Sequence, residues 1–328
     1  MATPTKSEGD DIKPGHHETE VCYEGEFELD KHQQDCKKNP GHVNFIPIKD
    51  FDYDHLPERY QDLDMMQVIQ SLAALTVKLK VKCTSKERPP YASFYTGGFP
   101  FYKDGGGKSI RIGTGKIESA FIKKGNLTAS EYVPLEICPC DICKTSSNPV
   151  DLWGEIKVVT AIHVVFDEEE AKKTEVIVDL ADEKTPGATL KGTRVESCSV
   201  EGDRCEVICV THDLEVVKKL QQVIDTFREQ YRLVKIKYIY NHSAKKENLV
   251  IVVSHPHGKA KKISLGLVVK ETNFKADLTF SRYTYTAPTC PGSSGAPVFV
   301  MGYNGIMMHT HAGANKDENF SGEAHSYF

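Results

Sequence analysis

Leu75-Thr76-Val77-Lys78-Leu79-Lys80-Val81-Lys82 alternates apolar and polar side chains without a break. Successive side chains of a strand point to opposite faces, so this period of two marks a half-buried β-strand. Arg88-Pro89-Pro90 ends it. On the N-terminal side, Asp62 to Ala74 (DLDMMQVIQSLAA) predicts a short helix. On the C-terminal side, SIRIGTGKI (109–117), IKVVTAIHVV (156–165), TEVIVDL (174–180) and CEVICVTHD (205–213) repeat the strand pattern between turn residues. Many short strands at such spacing predict an all-β barrel or sandwich. The period changes at Leu214. Leu214, Val217, Leu220, Ile224, Phe227 and Tyr231 recur every three or four residues, which predicts an amphipathic helix. Strand-like runs then resume from LVKIKYIYN to GIMMHT, so about six strands lie on each side of the helix. The expected organisation is a polar, flexible segment over 1–58, a strand-rich unit over 59–213, a connector helix over 214–232 and a second strand-rich unit over 233–328.

Bulk properties narrow the function classes. The chain has 328 residues, 39% of them hydrophobic and 27% charged, with a formal net charge of −5. An acidic balance gives no electrostatic reason to expect nucleic acid or an anionic membrane as partner. The N-terminal residues MATPTKSEGDDIKPGHHETE lack the apolar core of a secretory signal, and the longest apolar runs fall far short of a bilayer span. The expectation is a soluble, intracellular chain. The ten cysteines then read as thiols or metal ligands rather than a disulfide framework. The GGGKS run (105–109) lacks the first glycine of a phosphate loop, where Tyr102 stands instead.

Three segments carry chemistry. Pro291-Gly292-Ser293-Ser294-Gly295-Ala296-Pro297 places serines between glycines ahead of the apolar run Val298–Val300. Such a turn exposes a hydroxyl and aims backbone N–H groups at a developing oxyanion, although a plain hairpin turn has the same composition. Val159-Thr160-Ala161-Ile162-His163 ends an apolar strand on a histidine, which reads as a base or as a satisfied core residue. His212-Asp213-Leu214 puts a carboxylate at the start of the connector helix, where it reads as a helix cap or as the partner of a histidine. Together they supply a weak nucleophile, a base and an orienting carboxylate, the set that acyl transfer requires.

Thr160-Ala161-Ile162-His163 resembles the histidine box of the chymotrypsin-like serine proteases (T-A-x-H). Asp213-Leu214-Glu215-Val216-Val217-Lys218 resembles their aspartate box, and Gly292-Ser293-Ser294-Gly295-Ala296-Pro297 their serine box. The separations, about 50 and then about 80 residues, are also similar. Gly113-Thr114-Gly115 and Ser254-His255-Pro256-His257-Gly258 look like strand and hairpin segments of intracellular trypsin-like peptidases. The resemblance covers roughly residues 75–328. It implies two antiparallel six-stranded β-barrels with a cleft between them. It further implies a triad of His163, Asp213 and Ser294, with Ser293 the runner-up nucleophile, and an oxyanion hole from the N–H groups of Gly292 and Ser294. The implied partner is a protein or peptide substrate, and no cofactor is needed for the chemistry.

The sequence also departs from that pattern. Ser293 stands where the secreted members carry the aspartate that pairs with a new N-terminus, so competence without N-terminal cleavage is expected. Val164 replaces the cysteine after the histidine. The pocket base falls at Pro288 and Thr289, with His309, Thr310, His311 and Gly313 on its wall. No carboxylate is there, so trypsin-like cleavage is not expected. The residue accepted is apolar or aromatic, or polar if one of the two histidines reads it. Cys138-Pro139-Cys140-Asp141-Ile142-Cys143 is either part of a structural zinc site, completed by Cys198, Cys205 or Cys209, or a set of thiols or a disulfide. Asp167–Glu170 reads as a solvated acidic face. Two other functions remain open: a catalytically silent homologue that binds extended peptides, and a metal-stabilised interaction protein.

Overall fold

A computed structural model describes residues 16–92, 95, 98–126, 136–179, 187–241, 248–274, 280–301 and 308–325. Residues 1–15 of the polar N-terminal segment lie outside them, as do 275–279 and 302–307 in the expected second-half strands.

In chain order the strands and helices are β1 (Glu20–Cys22), α1 (Glu28–Gln34), β2 (Ile46–Pro47), α2 (Leu63–Leu75), β3 (Thr76–Val81), β4 (Ile110–Lys124), α3 (Asp141–Thr145), β5 (Leu152–Thr160), α4 (Glu168–Lys172), β6 (Thr174–Val178), β7 (Ala188–Ser199), β8 (Arg204–Thr211), α5 (Leu214–Asn241), β9 (Leu249–Ser254), β10 (Lys262–Phe274), β11 (Phe280–Tyr285), β12 (Pro297–Val300), β13 (His309–Ala314), β14 (Asn319–Ser321) and β15 (Ala324–His325). Two antiparallel barrels result. The first closes in the order β4-β3-β6-β7-β8-β5 and back to β4, with β1 added outside on β4. The second closes in the order β10-β11-β14-β13-β12-β9 and back to β10, with β15 on β11 and β2 on β10.

The alternating segment 75–82 supplies β3, whose Val77, Leu79 and Val81 are fully buried inside the first barrel. They meet Ile156, Val158, Val176, Leu190 and Val207 from neighbouring strands. In the second barrel Val250, Val252, Tyr285, Ala296 and Val298 form the corresponding core. Asp62 caps α2 by accepting from the Met65 N–H at 2.9 Å. Among the described residues, no helix is long and apolar enough to cross a membrane.

Three expectations change. The connector helix runs to Asn241, well past 232. Its apolar stripe continues through Val234 and Tyr238, both buried beside α2. Each such side chain contributes roughly 1.5–3 kcal/mol by leaving water, so Leu220→Ala would cost about 2–5 kcal/mol. Secondly, residues 16–58 are not a loose appendage. β1 and β2 each extend a barrel edge, and Leu29, Phe45, Phe51 and Leu56 are buried anchors. The segment lacks a period because main-chain pairing and isolated anchors hold it, not a continuous apolar face. Thirdly, the acidic run 167–170 is not simply solvated. Glu170 is fully buried in ion pairs of 2.7 Å with both Arg88 and Arg111. Arg88 also donates to the carbonyls of Pro100 and His163, which ties the network to the loop after β5.

Candidate active site

β5 ends at Thr160 and the chain turns at once, with the Val164 N–H donating to the Ala161 carbonyl at 3.1 Å. This turn delivers His163 to the cleft, fully buried. Its Nδ1 lies 2.8 Å and 2.9 Å from the two carboxylate oxygens of Asp203. Its Nε2 lies 2.7 Å from Ser294 Oγ. With Asp203 accepting from Nδ1–H, Nε2 is left to accept the serine proton.

Asp203, not Asp213, is therefore the carboxylate beside the histidine. It occupies the tight turn between β7 and β8 at φ 48°, a left-handed backbone that aspartate tolerates better than most residues. Its side chain is fully buried and also accepts from the Tyr95 hydroxyl at 2.5 Å. Burial first, and then the Asp203 carboxylate, push the Tyr95 hydroxyl well above its ordinary pKa, so it stays a donor. Asp213 sits beyond the far end of β8, exposed, and caps α5 through the N–H groups of Glu215 and Val216, each at 3.1 Å. Ten residues at about 3.3 Å each separate the two carboxylates by roughly 30 Å.

The serine comes from the second barrel. Gly292 has φ 93°, and a Cβ there would lie 2.5 Å from the His255 carbonyl oxygen, so only glycine fits. Thr114, between the two glycines of β4, donates its hydroxyl to the Gly292 carbonyl at 2.7 Å and its N–H to the Ser294 carbonyl at 2.8 Å. Ser293 turns away and donates to Ser254 Oγ at 3.1 Å.

The cleft is occupied by the chain's own N-terminal segment. The Gly292 and Ser294 N–H groups both donate to the Glu18 carbonyl, at 2.7 Å and 3.2 Å, and the Glu18 N–H donates to Ser294 Oγ at 3.0 Å. The Glu18 side chain enters a pocket where His311 Nε2 lies 2.7 Å from Oε2 and Lys38 Nζ lies 2.7 Å from Oε1. Thr289 also donates to this carboxylate. Burial alone would raise the Glu18 pKa. Pairing with His311, joined by Lys38, outweighs it and holds the group at about 2.

Of the other expected pocket residues, His309 points elsewhere, bonding Ser281 Oγ and its carbonyl. The Pro288 carbonyl accepts from Ser264. Thr310 approaches the Asp203 carbonyl at 3.5 Å, and Gly313 pairs with Phe320 in the sheet. Sequence reasoning missed Asp203, Tyr95, Lys38 and Glu18. A Gly-Asp turn between two strands was the only visible signal, and only for Asp203.

Among the described residues, two clusters could hold a metal. Cys138, Cys140 and Cys143 gather around His212, whose Nε2 lies 3.3, 3.6 and 3.5 Å from their sulfurs. Zinc–sulfur and zinc–nitrogen bonds of about 2.3 and 2.0 Å give tetrahedron edges of roughly 3.5–3.8 Å. The fourth position thus belongs to His212, and Cys198, Cys205 and Cys209 stand apart from it. A second group comprises Cys36, His42, His257 and Cys290.

Residues 151–302 match the trypsin-like peptidase domain family. No curated protein matches the chain. Among solved structures the chain is similar to an active-form protease from M. tuberculosis, at 16% identity with a TM-score of 0.38, covering 78% of each chain. It is also similar to Deg5, at 10% identity and a TM-score of 0.40, covering 81% of this chain and 90% of that one. A third is the HtrA-type protease AlgW with a decapeptide, at 13% identity and a TM-score of 0.39, covering 78% of this chain and 62% of that one. Over residues 151–302 the chain is thus similar to a trypsin-like peptidase domain, and its fold of two antiparallel barrels is in keeping with that match.

Proposed function

We propose that His163, Asp203 and Ser294 form the catalytic triad of this endopeptidase and that the N–H groups of Gly292 and Ser294 form its oxyanion hole. The observation that carries the reading is the unbroken path from Asp203 through both His163 nitrogens to Ser294 Oγ, beside two N–H groups that converge on one carbonyl oxygen. Ser294 Oγ attacks the scissile carbonyl and its proton passes to His163 Nε2. The two N–H groups hold the oxyanion, and Asp203 stabilises the imidazolium that forms. His163 then protonates the leaving amine, and water releases the acyl group by the reverse relay. The same path argues against a silent peptide-binding homologue, which has no use for a hydroxyl, an imidazole and a carboxylate in line.

The specificity is not trypsin-like on this reading. His311, Thr289 and Lys38 face the pocket, and a basic side chain there would meet the Lys38 ammonium. Cys138, Cys140, Cys143 and His212 hold a structural zinc that pins the segment before β5 to the end of β8. The protein and peptide substrates follow from the extended segment that the cleft accepts.

Fluorophosphonate labelling of purified protein tests the triad. Wild-type protein should label after incubation, and Ser294→Ala and His163→Ala should not. Equal labelling of Ser294→Ala would place the nucleophile elsewhere, with Ser293 the next candidate.

A further inference from the structure

We propose that the chain is its own substrate: the active site cleaves the Glu18–Thr19 bond, and its pocket selects an acidic residue before the scissile bond. This rests on the proposed triad. Three observations meet on one short segment. On the amino side, His16 makes a two-bond antiparallel bridge with Ala314, N–H to carbonyl at 2.8 Å and 2.9 Å. At the centre, the Glu18 carbonyl lies in the paired N–H groups beside Ser294 Oγ. On the carboxyl side, Glu20–Cys22 continues as β1 along β4 of the first barrel. An extended chain thus threads the cleft from one barrel to the other with its carbonyl where an oxyanion would be stabilised. That is the pose of a peptide about to be cut.

The pocket explains the acidic choice. Tyr285 donates its hydroxyl to His311 Nδ1 at 2.6 Å, which leaves Nε2–H to donate to the Glu18 carboxylate. Burial first lowers the His311 pKa, and the Lys38 ammonium brings positive charge to the pocket. Asn319 Oδ1 and Thr289 Oγ1 hold Lys38 Nζ at 2.8 Å and 3.0 Å. Of the two expected alternatives, this reading takes the polar residue read by a histidine over the apolar or aromatic one, and adds the positive charge of Lys38. The expectation that the domain is competent without N-terminal cleavage changes too, because an uncut segment fills the cleft that other substrates need.

The step balances with water alone. Ser294 Oγ bonds to the Glu18 carbonyl carbon, its proton goes to His163, and the bond to the Thr19 nitrogen breaks as that nitrogen takes the proton. Water then hydrolyses the Glu18 ester, leaving a carboxylate on Glu18 and restoring Ser294.

The test incubates full-length wild type and Ser294→Ala and reads intact mass, N-terminal sequence and fluorophosphonate labelling. Peptides covering residues 12–24, with Glu, Gln or Lys at position 18, are added to the incubated wild type. The expected result is a new N-terminus at Thr19 in wild type only, labelling of the processed chain, and cleavage of the Glu peptide at least tenfold faster than the Gln or Lys peptides. A wild-type chain that labels but keeps its N-terminus overturns self-cleavage and leaves the peptidase standing. Equal cleavage of the Glu and Gln peptides overturns the acidic selection. No labelling and no cleavage of any peptide overturns the triad reading and this one together.

A separate observation carries a second inference: the geometry points to a zinc site at Cys36, His42, His257 and Cys290. Their ligand atoms all lie within 4.8 Å of one another, and the two sulfurs are 3.6 Å apart, close to a tetrahedron edge. Nε2 of both His42 and His257 is buried without a hydrogen-bond partner among the described residues. His257 Nδ1–H donates to Glu20 Oε2 at 2.7 Å, the outer-shell carboxylate that commonly orients a zinc-bound imidazole. Asn39 Nδ2 donates to Cys290 Sγ at 3.2 Å. Metal here would staple the N-terminal segment to the loop two residues before Gly292. Elemental analysis of the full chain should find two zinc ions per chain, falling to one in Cys36→Ser and to one in His212→Ala. Cobalt(II) added to metal-stripped wild type should give tetrahedral thiolate bands at two equivalents. Unchanged zinc in folded Cys36→Ser, cobalt bands that saturate at one equivalent, or a mass two hydrogens light from a Cys36–Cys290 disulfide, would overturn the site.

Discussion

The two ends of β8 carry the same residue type in opposite circumstances. Asp203 precedes the strand in a buried turn and meets His163, while Asp213 follows it in solvent and meets only the backbone of α5. Local sequence favoured Asp213, because an aspartate before an apolar helical run looks alike whether it caps or orients. What separates the two is burial and the direction of the chain, and neither is a local property. A carboxylate that fixes an imidazole must be shielded from water and held by other donors, as Tyr95 and the His163 N–H hold Asp203.

Several experiments would break or sharpen this contrast, beginning with the largest effect. Asp203→Asn should lower peptide turnover by about 10⁴-fold, the order expected when the orienting anion of a triad is neutralised. Asp213→Asn should leave turnover within about twofold, measured on the same peptide. A large loss in Asp213→Asn would reverse the assignment. Glu170→Gln should come next. It removes the anion shared by Arg88 and Arg111 and should destabilise the fold by about 3–5 kcal/mol, read as a lowered denaturant midpoint. A change below about 1 kcal/mol would mean that the arginines find other partners.

The acid side of the pH profile gives a moderate effect. The Glu18 pKa is depressed to about 2 from its ordinary value of 4.5 by His311 and Lys38, against the upward push of burial. A depressed carboxylate contributes stability that is full above its unfolded pKa and fades as pH falls through the folded one. Docking of residues 16–22 in the Ser294→Ala chain should therefore hold above about pH 5 and loosen progressively below it, followed by hydrogen exchange. Tightening on acidification would contradict the pairing. The smallest effect belongs to Asp213→Ala, which should cost roughly 1 kcal/mol as a lost helix cap, without touching the site.

Much of the fold was legible because its elements carry their own period. The alternation at 75–82 became β3, and the three-and-four spacing from Leu214 became α5. His163 and Ser294 were legible as candidates because each ends or begins an apolar strand beside a turn. The N-terminal segment was not, since its order comes from pairing with distant strand edges and from side-chain contacts as far apart as Cys36 and Cys290. Nothing in His16-His17-Glu18-Thr19-Glu20 distinguishes a solvated stretch from one lying in a cleft. Likewise, the three close cysteines announced a cluster, but its fourth member, His212, is 69 residues from Cys143 and was hidden beside the more conspicuous Asp213.

The most direct test of the Asp203 assignment is the ¹H NMR signal of the His163 Nδ1 proton, followed in wild type, Asp203→Asn and Asp213→Asn. A proton shared with a buried carboxylate should resonate far downfield in wild type and Asp213→Asn, and that signal should vanish or move upfield in Asp203→Asn. Its loss in Asp213→Asn, with retention in Asp203→Asn, would contradict the triad described here.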